Sequence, residues 1–414
     1  MKIVYLHQYF NTPSMWGSHR SYEMARRLVS MGHQVQIITA YLKDDKKKSF
    51  DTEIDGIKIH WIPVPYSNYM SFDKRIWAFI KFSIFAIPAV LKNKSDLIFA
   101  TSTPLTVCIP AIILKIFTRK RFIFEVRDLW PELPIAFGAI KNPILIFLAK
   151  LLEKAAYYFA DAIIALSPGM KEGIVKKGKN SQSIAVIPNS CDFNLSRKNV
   201  PKLGSFVNNI NDHDPVIAFM GAFGLINNLE WIVELGESLE NIDSNVKILL
   251  IGDGIMKDHL LNSINSRNLL ERIKVIDPVP KKDIPNILNN IKMSIITFND
   301  IPAMRNNSAN KFFDSLATAT PVIINFGGWI NKLVNDNECG IDGWKKSLPE
   351  VAKNVHDKCN NNEWLNIAGR NAHDLGKKYF DRDIAAKNLN NIFNSVLNGD
   401  NNISHFSPES YNLK

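Results

Sequence analysis

The residues best suited to chemistry in this 414-residue chain lie in the segment Asn310-Lys311-Phe312-Phe313-Asp314, which leads into an apolar strand pattern. Its pattern predicts a helix start. The dipole and free N–H groups there attract phosphate, Lys311 adds a full charge, and Asp314, one turn on, is placed to accept hydrogen bonds from a ribose. The segment therefore indicates a nucleoside diphosphate site. The alternative is a surface ion pair between Lys311 and Asp314, worth only ~0.2–0.5 kcal/mol.

Length and composition predict two domains with a cleft between them. The chain exceeds the ~100–200 residues of a typical domain, and its 46% hydrophobic and 22% charged residues are typical of a soluble globular protein. Lysines interrupt the apolar segments 76–91, 105–117 and 133–152, so none offers the ~18 uncharged apolar residues of a membrane span. The four cysteines match no metal-ligand spacing, which predicts reduced core thiols and no metal site.

The net charge of +10 predicts an anionic partner, because the basic runs 43–48, 115–121 and 171–179 all lie in the first half. No helix-turn-helix, finger or RNP pattern is present, so nucleic acid is not expected. The basic runs lie beside apolar segments, which favours an anionic membrane surface. The N-terminus lacks the residue order of a signal peptide, so we expect a cytoplasmic protein associated peripherally with the inner face of the membrane.

The order of elements predicts an α/β fold with two Rossmann-like, doubly wound parallel sheets facing across a cleft. A strand at Ile3–His7, a helix at Ser18–Met31 and a strand at Gln34–Thr39 form a first βαβ unit. Similar alternation continues through both halves. The predicted domains are 1–195, a linker 196–215, and 216–382. A last helix from 383 to 397 is expected to return to the first domain, and the end of 383–414, after Val396, to be flexible.

Ligands bind outside the carboxyl ends of the strands in such sheets, so the residues after each strand are candidates. In the first half, Arg127 and Asp128 follow a strand, and charged groups in this position predict a functional role. A structural ion pair of Arg127 with Asp128 or Glu125 is the alternative. The further candidates for ligand contact in this half are His7, Tyr9, Gly17, Ser18, Arg20 and Glu132.

In the second half, glycine-bearing turns follow successive strands and resemble phosphate-binding geometry. The alternative for each is a tight turn without a ligand. Together with the helix start at Asn310, these turns define a predicted nucleotide site. Its members are Gly221, Phe223, Gly224, Asn227, Asn228, Gly252, Asp253, Asp277, Val279, Asn306, Asn310, Lys311, Phe312 and Asp314.

Nearly the whole chain resembles retaining glycosyltransferases of family 4, which have the GT-B architecture. Within that family it is similar to the N-acetyl-L-fucosamine transferases of bacterial O-antigen and capsule synthesis. The segments that carry the resemblance are His7-Gln8-Tyr9-Phe10, 20–33, Phe124–Glu132, Ala165–Met170, Ile187-Pro188-Asn189-Ser190 and Asn310–Asp314.

The resemblance implies a donor domain that binds a UDP-linked sugar in the second half, and a first half that binds a glycan on a polyprenyl diphosphate. In the family, an acidic pair spaced by seven residues marks the donor site. Asp314 takes the second place here and Asn306 the first. The arginine and lysine that usually grip the diphosphate are replaced by Asn227 and Asn228, and Arg127 stands where many relatives have a histidine for the donor 6-hydroxyl.

The resemblance further implies a mechanism without a covalent intermediate or a metal, in which Lys311, Arg127 and Asp128 are the catalytic candidates. No cofactor is expected besides the nucleotide sugar. Two other functions remain open: a UDP-sugar 2-epimerase of the same architecture, and a non-catalytic scaffold of a polysaccharide assembly complex. The apolar, basic first half argues against the epimerase, whereas the missing first acid makes the scaffold plausible.

Overall fold

Two sheets form the frame of the protein, and the two predicted doubly wound sheets are confirmed. The computed structural model describes residues 1–15, 17–67, 69–193, 203–205 and 214–407. Most of the predicted linker 196–215 and the last part of the predicted tail, 408–414, lie outside the described residues.

The first sheet has eight strands in the order β3-β4-β2-β1-β5-β6-β7-β8, and every neighbouring pair is parallel except β3 with β4. Our prediction missed the β3–β4 hairpin. Its turn is Asp55-Gly56, with φ of 50° and 75°, the conformation that Asp-Gly favours between antiparallel strands. The strands are β1 Lys2–Leu6, β2 Gln34–Tyr41, β3 Phe50–Ile54, β4 Ile57–Pro63, β5 Leu97–Thr101, β6 Arg121–Val126, β7 Ala162–Ala165 and β8 Ile184–Val186.

Six helices lie around this sheet, and every strand except β3 buries apolar residues on both of its sides. The first begins at Arg20, two residues later than predicted, so Ser18 lies in the preceding loop. The helices are α1 Arg20–Ser30, α2 Phe72–Leu91, α3 Cys108–Thr118, α4 Glu132–Ala136, α5 Pro143–Phe159 and α6 Pro168–Lys176.

The second sheet has six parallel strands in the order β11-β10-β9-β12-β13-β14. Its strands are β9 Val216–Met220, β10 Lys247–Ile251, β11 Ile273–Ile276, β12 Met293–Ile296, β13 Val322–Ile324 and β14 Gly340–Asp342. The helices of this half are α7 Leu229–Glu240, α8 Lys257–Ser266, α9 Ile284–Leu288, α10 Asn310–Ala317, α11 Trp329–Asp336, α12 Leu348–Cys359, α13 Asn362–Tyr379 and α14 Arg382–Leu397.

Helix α14 packs on the first domain although it follows the second in sequence. Leu389 and Phe393 are fully buried there, and the Phe393 ring centroid lies 5.0 Å from that of Phe99. The expectation of a loose end after Val396 is wrong for residues 398–407. Ile403 is fully buried, and its N–H donates to the carbonyl of Gln182 over 2.8 Å, because an apolar side chain is available to pack there.

The chain passes between the domains twice, and the two passages pair with each other. The N–H of Cys191 donates to the carbonyl of Phe380, and the N–H of Arg382 donates to the carbonyl of Cys191, both over 3.0 Å. The Arg382 guanidinium also reaches the carboxylate of Asp192. These contacts hold the two domains together at one end of the cleft.

The four cysteines are buried and unpaired, as predicted. Among the described residues, no helix is long and apolar enough to cross a membrane.

Candidate functional site

A cleft of about 740 Å³ lies between the carboxyl ends of the two sheets, and both domains line it. Parallel strands direct their following loops to one edge of the sheet, so loops that are distant in sequence meet here. Ten of the predicted site residues line the cleft: Gly17, Ser18, Arg20, Arg127, Asp128, Gly221, Val279, Asn310, Lys311 and Asp314.

Lys311 carries a cation without a counter-ion beside this cleft. Its stem is half-buried, whereas its Nζ is shielded from solvent and has no hydrogen-bond partner among the described residues. The Nζ lies 3.7 Å from the ring centroid of Phe219 and 5.5 Å from that of Phe298. Burial lowers the pKa of Lys311 to about 7. An anion bound here would supply the missing partner.

Helix α10 places Lys311 and Asp314 on the cleft, as the sequence pattern predicts. The helix begins at Asn310 without a side-chain cap, and the Asn310 amide donates to the Ser18 hydroxyl of the other domain over 3.3 Å. An uncapped helix start facing a cleft is suited to binding an anion.

Asp314 is paired with a lysine that the sequence analysis missed. The ammonium of Lys281 donates to the Asp314 carboxylate, and both side chains are partly exposed. Lys281 and Lys282 both line the cleft, on the loop that follows β11. The signal was available in the sequence, because two adjacent lysines follow a strand by only a few residues.

The predicted phosphate cradle in the glycine turns is wrong for two of its amides. The N–H of Gly221 donates to the carbonyl of Ile251 over 2.9 Å, and the N–H of Phe223 donates to that of Asp253 over 2.8 Å. These bonds tie two loops together, so neither amide is available to a phosphate. Gly252 allows the two loops to approach this closely, because a Cβ there would lie only 1.9 Å from the Gly221 carbonyl oxygen. The Phe223 side chain is fully buried in the core.

Asn227 and Asn228 do not line the cleft, so the predicted donor contacts of these residues are wrong in this conformation. The Asn227 amide donates to the carbonyl of Ala222 over 2.7 Å, and Asn228 adopts a left-handed conformation before α7. Gly224 likewise closes the turn, because its carbonyl accepts the N–H of Asn227 over 3.1 Å. All three residues shape the turn.

Asp253 and Asp277 also lie outside the cleft lining. The Asp253 carboxylate accepts a hydrogen bond from the Tyr69 hydroxyl of the first domain over 3.0 Å. Asp277 is 83% exposed and pairs with Lys257 over 2.6 Å. Both carboxylates are occupied by these partners and neither lines the cleft, so their predicted place in the site is wrong in this conformation.

In this conformation Asn306 and Phe312 contribute to packing within the protein and do not line the cleft. The Asn306 carbonyl accepts a hydrogen bond from the Ser167 hydroxyl over 2.6 Å, and its side chain packs against Gly169, where a Cβ would be 1.9 Å away. Asn306 therefore lies at the domain contact rather than in the cleft. Phe312 is fully buried in the core of the second domain.

Arg127 and Asp128 form the wall of the cleft on the first domain. The Arg127 guanidinium is held by His7 Nε2 at 3.1 Å and donates to the Ser18 hydroxyl over 3.0 Å. Asp128 accepts a hydrogen bond from Thr103 over 3.2 Å, and burial raises the pKa of its carboxyl although Arg127 opposes the shift. His7 is buried beside Arg127 and does not line the cleft, so it positions Arg127 rather than contacting a sugar.

The Arg20 guanidinium is used in buried contacts within the protein. The prediction that Arg20 binds the acceptor is therefore wrong in this conformation. Its guanidinium pairs with the buried Glu125 carboxylate at 2.9 Å and donates to the carbonyls of Ile187 and Pro188. The structural ion pair expected near Arg127 therefore involves Arg20 and Glu125. It joins α1, β6 and the loop after β8.

Tyr9 and Glu132 lie outside the cleft lining. The Tyr9 ring packs against Tyr66, with centroids 4.8 Å apart, and against Phe79. Glu132 pairs with Lys177 over 2.8 Å on the surface. Neither contacts the space between the domains in this conformation.

Several further residues complete the cleft. The Asn189 amide donates to the Ser308 carbonyl over 2.6 Å across the domains, and its Oδ1 is buried with no hydrogen-bond partner in the described part of the chain. The same is true of the Ser190 hydroxyl, and both residues line the cleft. Both lie in the segment Ile187-Pro188-Asn189-Ser190, which was recognised as a motif but not assigned to the site.

Each half of the chain matches a known family. Residues 18–195 match the family described as Glycosyltransferase Family 4, and residues 203–375 match the Glycosyl transferases group 1 family. The chain is a GT-B glycosyltransferase. Its cleft lies between the regions covered by the two families, so residues of both line the candidate site.

The glycosyltransferase is 22% identical over 386 residues to a capsular polysaccharide biosynthesis glycosyltransferase, CapM, of Staphylococcus aureus, covering 89% of this chain and 96% of the relative. Two solved structures share its fold. Sucrose-phosphate synthase from Thermosynechococcus elongatus aligns with a TM-score of 0.80 at 14% identity, over 97% of this chain and 100% of the other. Anabaena HepE in complex with UDP and glucose aligns with a TM-score of 0.70 at 16% identity, over 95% and 100%.

In the described part of this glycosyltransferase, no group of three or more His, Cys, Asp or Glu side chains is arranged to hold a metal ion. The lysines that line the cleft from the second domain are Lys281, Lys282 and Lys311.

Proposed function

We propose that this glycosyltransferase transfers a sugar from a UDP-linked donor to a glycan carried on a polyprenyl diphosphate, in the synthesis of a bacterial capsule or O-antigen. The observation that carries the proposal is the unpartnered Lys311 ammonium, located at the uncapped start of α10 with Asp314 one turn away. The relatives lend support, because CapM is described as a capsular polysaccharide enzyme and HepE was solved with UDP.

We propose N-acetyl-L-fucosamine as the donor sugar, on the basis of the sequence resemblance and of Arg127. Relatives with a histidine in this place can contact a 6-hydroxyl, which a 6-deoxy sugar lacks. Here the Arg127 guanidinium is already bound to His7 and Ser18. It therefore shapes the wall of the sugar site.

The proposed reaction retains the anomeric configuration without a covalent intermediate. The bond between the sugar C1 and the β-phosphate oxygen breaks while the acceptor hydroxyl attacks from the same face and gives its proton to that departing oxygen. Lys311 stabilises the charge that grows on the departing diphosphate, since a fixed cation in a poorly solvated site is effective there. Asp128 positions a hydroxyl of the donor or the acceptor. Lysines rather than a metal ion meet the phosphate charge in this mechanism.

The acceptor lipid requires a membrane, and helices α2, α3 and α5 offer a surface for it. They pack side by side and carry 12 of the 22 exposed large apolar side chains of the described residues. We call this surface the apolar face. Its members are Trp77, Ile80, Ile84, Phe85, Leu91, Ile116, Phe117, Ile144, Phe147, Leu148, Leu151 and Tyr158.

Basic residues border the apolar face, which favours an anionic lipid surface over an uncharged partner. The exposed basic side chains on these helices and at their ends are Lys74, Lys92, Lys94, Arg119, Lys141, Lys150 and Lys154. Both signals of a peripheral membrane surface, apolar contact and positive charge, therefore coincide on the acceptor domain. We propose that it docks on the cytoplasmic face of the membrane.

A thermal-shift screen against UDP, GDP, dTDP and their sugars tests the donor assignment, because a ligand that binds only the folded state stabilises it by RT ln(1 + [L]/Kd). We expect a UDP-selective shift that Asp314→Ala abolishes and that Asp336→Ala, an exposed acid on α11, leaves intact. Absence of any nucleotide shift would favour the scaffold. Conversion of the donor to another nucleotide sugar without an acceptor would favour the epimerase.

A further inference from the structure

The diphosphate of a nucleotide sugar needs positive charge that the turn after β9 does not supply. This turn has no basic residue between Gly221 and α7, where the resemblance implies an arginine and a lysine. Asn227 stands in that place, and its amide is turned inward to the carbonyl of Ala222. Lys311 supplies one cation, so any further positive charge must come from another loop.

The loop after β11 supplies two candidate cations. Lys281 and Lys282 line the cleft, and β11 is separated from β9 only by β10, so the loops of these strands lie at the same edge. The Lys281 ammonium contacts Asp314, the fifth residue of α10. With a rise of 1.5 Å per residue, Asp314 lies about 6 Å along the helix from its start at Asn310.

Lys281 also lies close to the first domain. His19 precedes α1 and lines the opposite wall of the cleft. Burial lowers the pKa of His19, and the positive charge of Lys281 lowers it further, although hydrogen bonds to the carbonyls of Thr12 and Met15 oppose the shift. Lys281 contacts α10 through Asp314 and shares the cleft with His19 at the start of α1.

We propose that Lys281 exchanges partners when the donor binds. Asp314 turns to the ribose hydroxyl groups, and Lys281, together with Lys282, turns to the diphosphate. The inference rests on the proposed function and deepens it by assigning the cations of the diphosphate site. A partly exposed ion pair is weak enough to exchange, and the flexible stem of a lysine spans one helical turn.

Isothermal titration calorimetry of Lys281→Gln with UDP and with uridine tests the exchange. We expect the affinity for UDP to fall about tenfold, the loss of one charge-assisted contact. The affinity for uridine should stay the same or rise, because Asp314 is no longer occupied by Lys281. Lys281→Arg should retain the UDP affinity. In steady-state assays, Lys281→Gln should raise the KM for the donor.

Lys353→Gln is the matched control, since Lys353 pairs with Asp357 over 3.0 Å on the surface of α12. It should bind both ligands like the wild type. Equal weakening of UDP and uridine by Lys281→Gln would overturn the exchange and assign Lys281 to the nucleoside. Unchanged UDP affinity in a folded Lys281→Gln would also overturn it, with the proposed function intact. If the wild type bound no nucleotide, both proposals would fall.

Discussion

The Nζ of Lys311 lies 3.7 Å from the ring centroid of Phe219, which belongs to strand β9 of the second sheet. A ring face attracts a cation and needs no hydrogen bond. The protein thereby keeps a buried ammonium beside the cleft, with no counter-ion among the residues that the structure describes. Because burying the charged ammonium costs free energy, the protonation of Lys311 should respond both to pH and to a bound anion.

Removal of this buried cation should alter the pH dependence of stability. The pKa of Lys311 is about 7 in the folded protein and 10.5 without burial. Between these values the unfolded chain binds more protons, so Lys311 makes the free energy of unfolding rise with pH, by about 2 kcal/mol from pH 7 to 9. The Lys311→Met variant should lack this increase in the free energy of unfolding. Urea titrations of both proteins at pH 7, 8 and 9 measure the difference.

The same variant should lose donor binding, because the phosphate has lost its cation. Lys358→Met, which removes a surface lysine near Trp364, is the control and should keep both the pH profile and UDP binding. If Lys311→Met and the wild type showed parallel pH profiles, the ammonium would not be buried as described.

Arg20 and Glu125 should contribute to stability rather than to the choice of acceptor. Their carboxylate–guanidinium contact is 2.9 Å, and both side chains are almost fully buried. Arg20→Met leaves the Glu125 charge unpaired and should lower the free energy of unfolding by about 3–5 kcal/mol. The double variant Arg20→Met/Glu125→Gln should recover part of that loss in urea titrations. Identical stability of single and double variants would contradict the pairing.

Asp128→Asn should reduce kcat roughly a hundredfold while UDP binding is unchanged, since Asp128 lies on the wall opposite α10. An ionised carboxylate accepts hydrogen bonds that an amide oxygen accepts less well. Burial raises the pKa of Asp128. As the pH is lowered, kcat should therefore fall with an apparent pKa above that of an ordinary aspartate. A kcat–pH profile of the wild type checks this. A larger effect on KM than on kcat would argue against the role.

The wall residue Arg127 should make the enzyme prefer donors without a 6-hydroxyl. We expect kcat/KM for UDP-N-acetyl-L-fucosamine to exceed that for UDP-N-acetylglucosamine, and Arg127→His to narrow the ratio. Competition assays with both donors measure it. Better use of UDP-N-acetylglucosamine by the wild type would refute the 6-deoxy assignment.

The apolar face should bind anionic vesicles. Phe117 and Phe147 are 76% and 66% exposed, so the double variant Phe117→Ser/Phe147→Ser should weaken flotation with phosphatidylglycerol vesicles without lowering Tm. Leu270→Ser/Ile367→Ser, on the exposed surface of the second domain, is the control. Vesicles of phosphatidylcholine alone should bind less.

Two other results would contradict the membrane assignment. Equal flotation of the Phe117→Ser/Phe147→Ser variant and the wild type would place the lipid contact elsewhere. Loss of a wild-type dimer in the variant, measured by light scattering, would instead assign the apolar face to a second copy of the chain.

Much of the fold was predictable because apolar residues recur along the chain with the periods of strands and helices. All parallel strands of the two sheets except β4 and β14 were recognised within a few residues of their ends, since alternating apolar segments and helices repeat through both halves. The β3–β4 hairpin was missed because β3 is short and polar, although Asp55-Gly56 signals its turn.

The sequence by itself determined the two-sheet architecture, the helix start at Asn310, and the presence of Lys311 and Asp314 at the cleft. These follow from local pattern, because periodicity and caps depend on near neighbours. Only the tertiary structure decided which polar groups are already paired. Arg20 is bound to Glu125, 105 residues away, and Lys281 to Asp314. Such partners meet through the packing of distant loops, so spacing along the chain cannot reveal them.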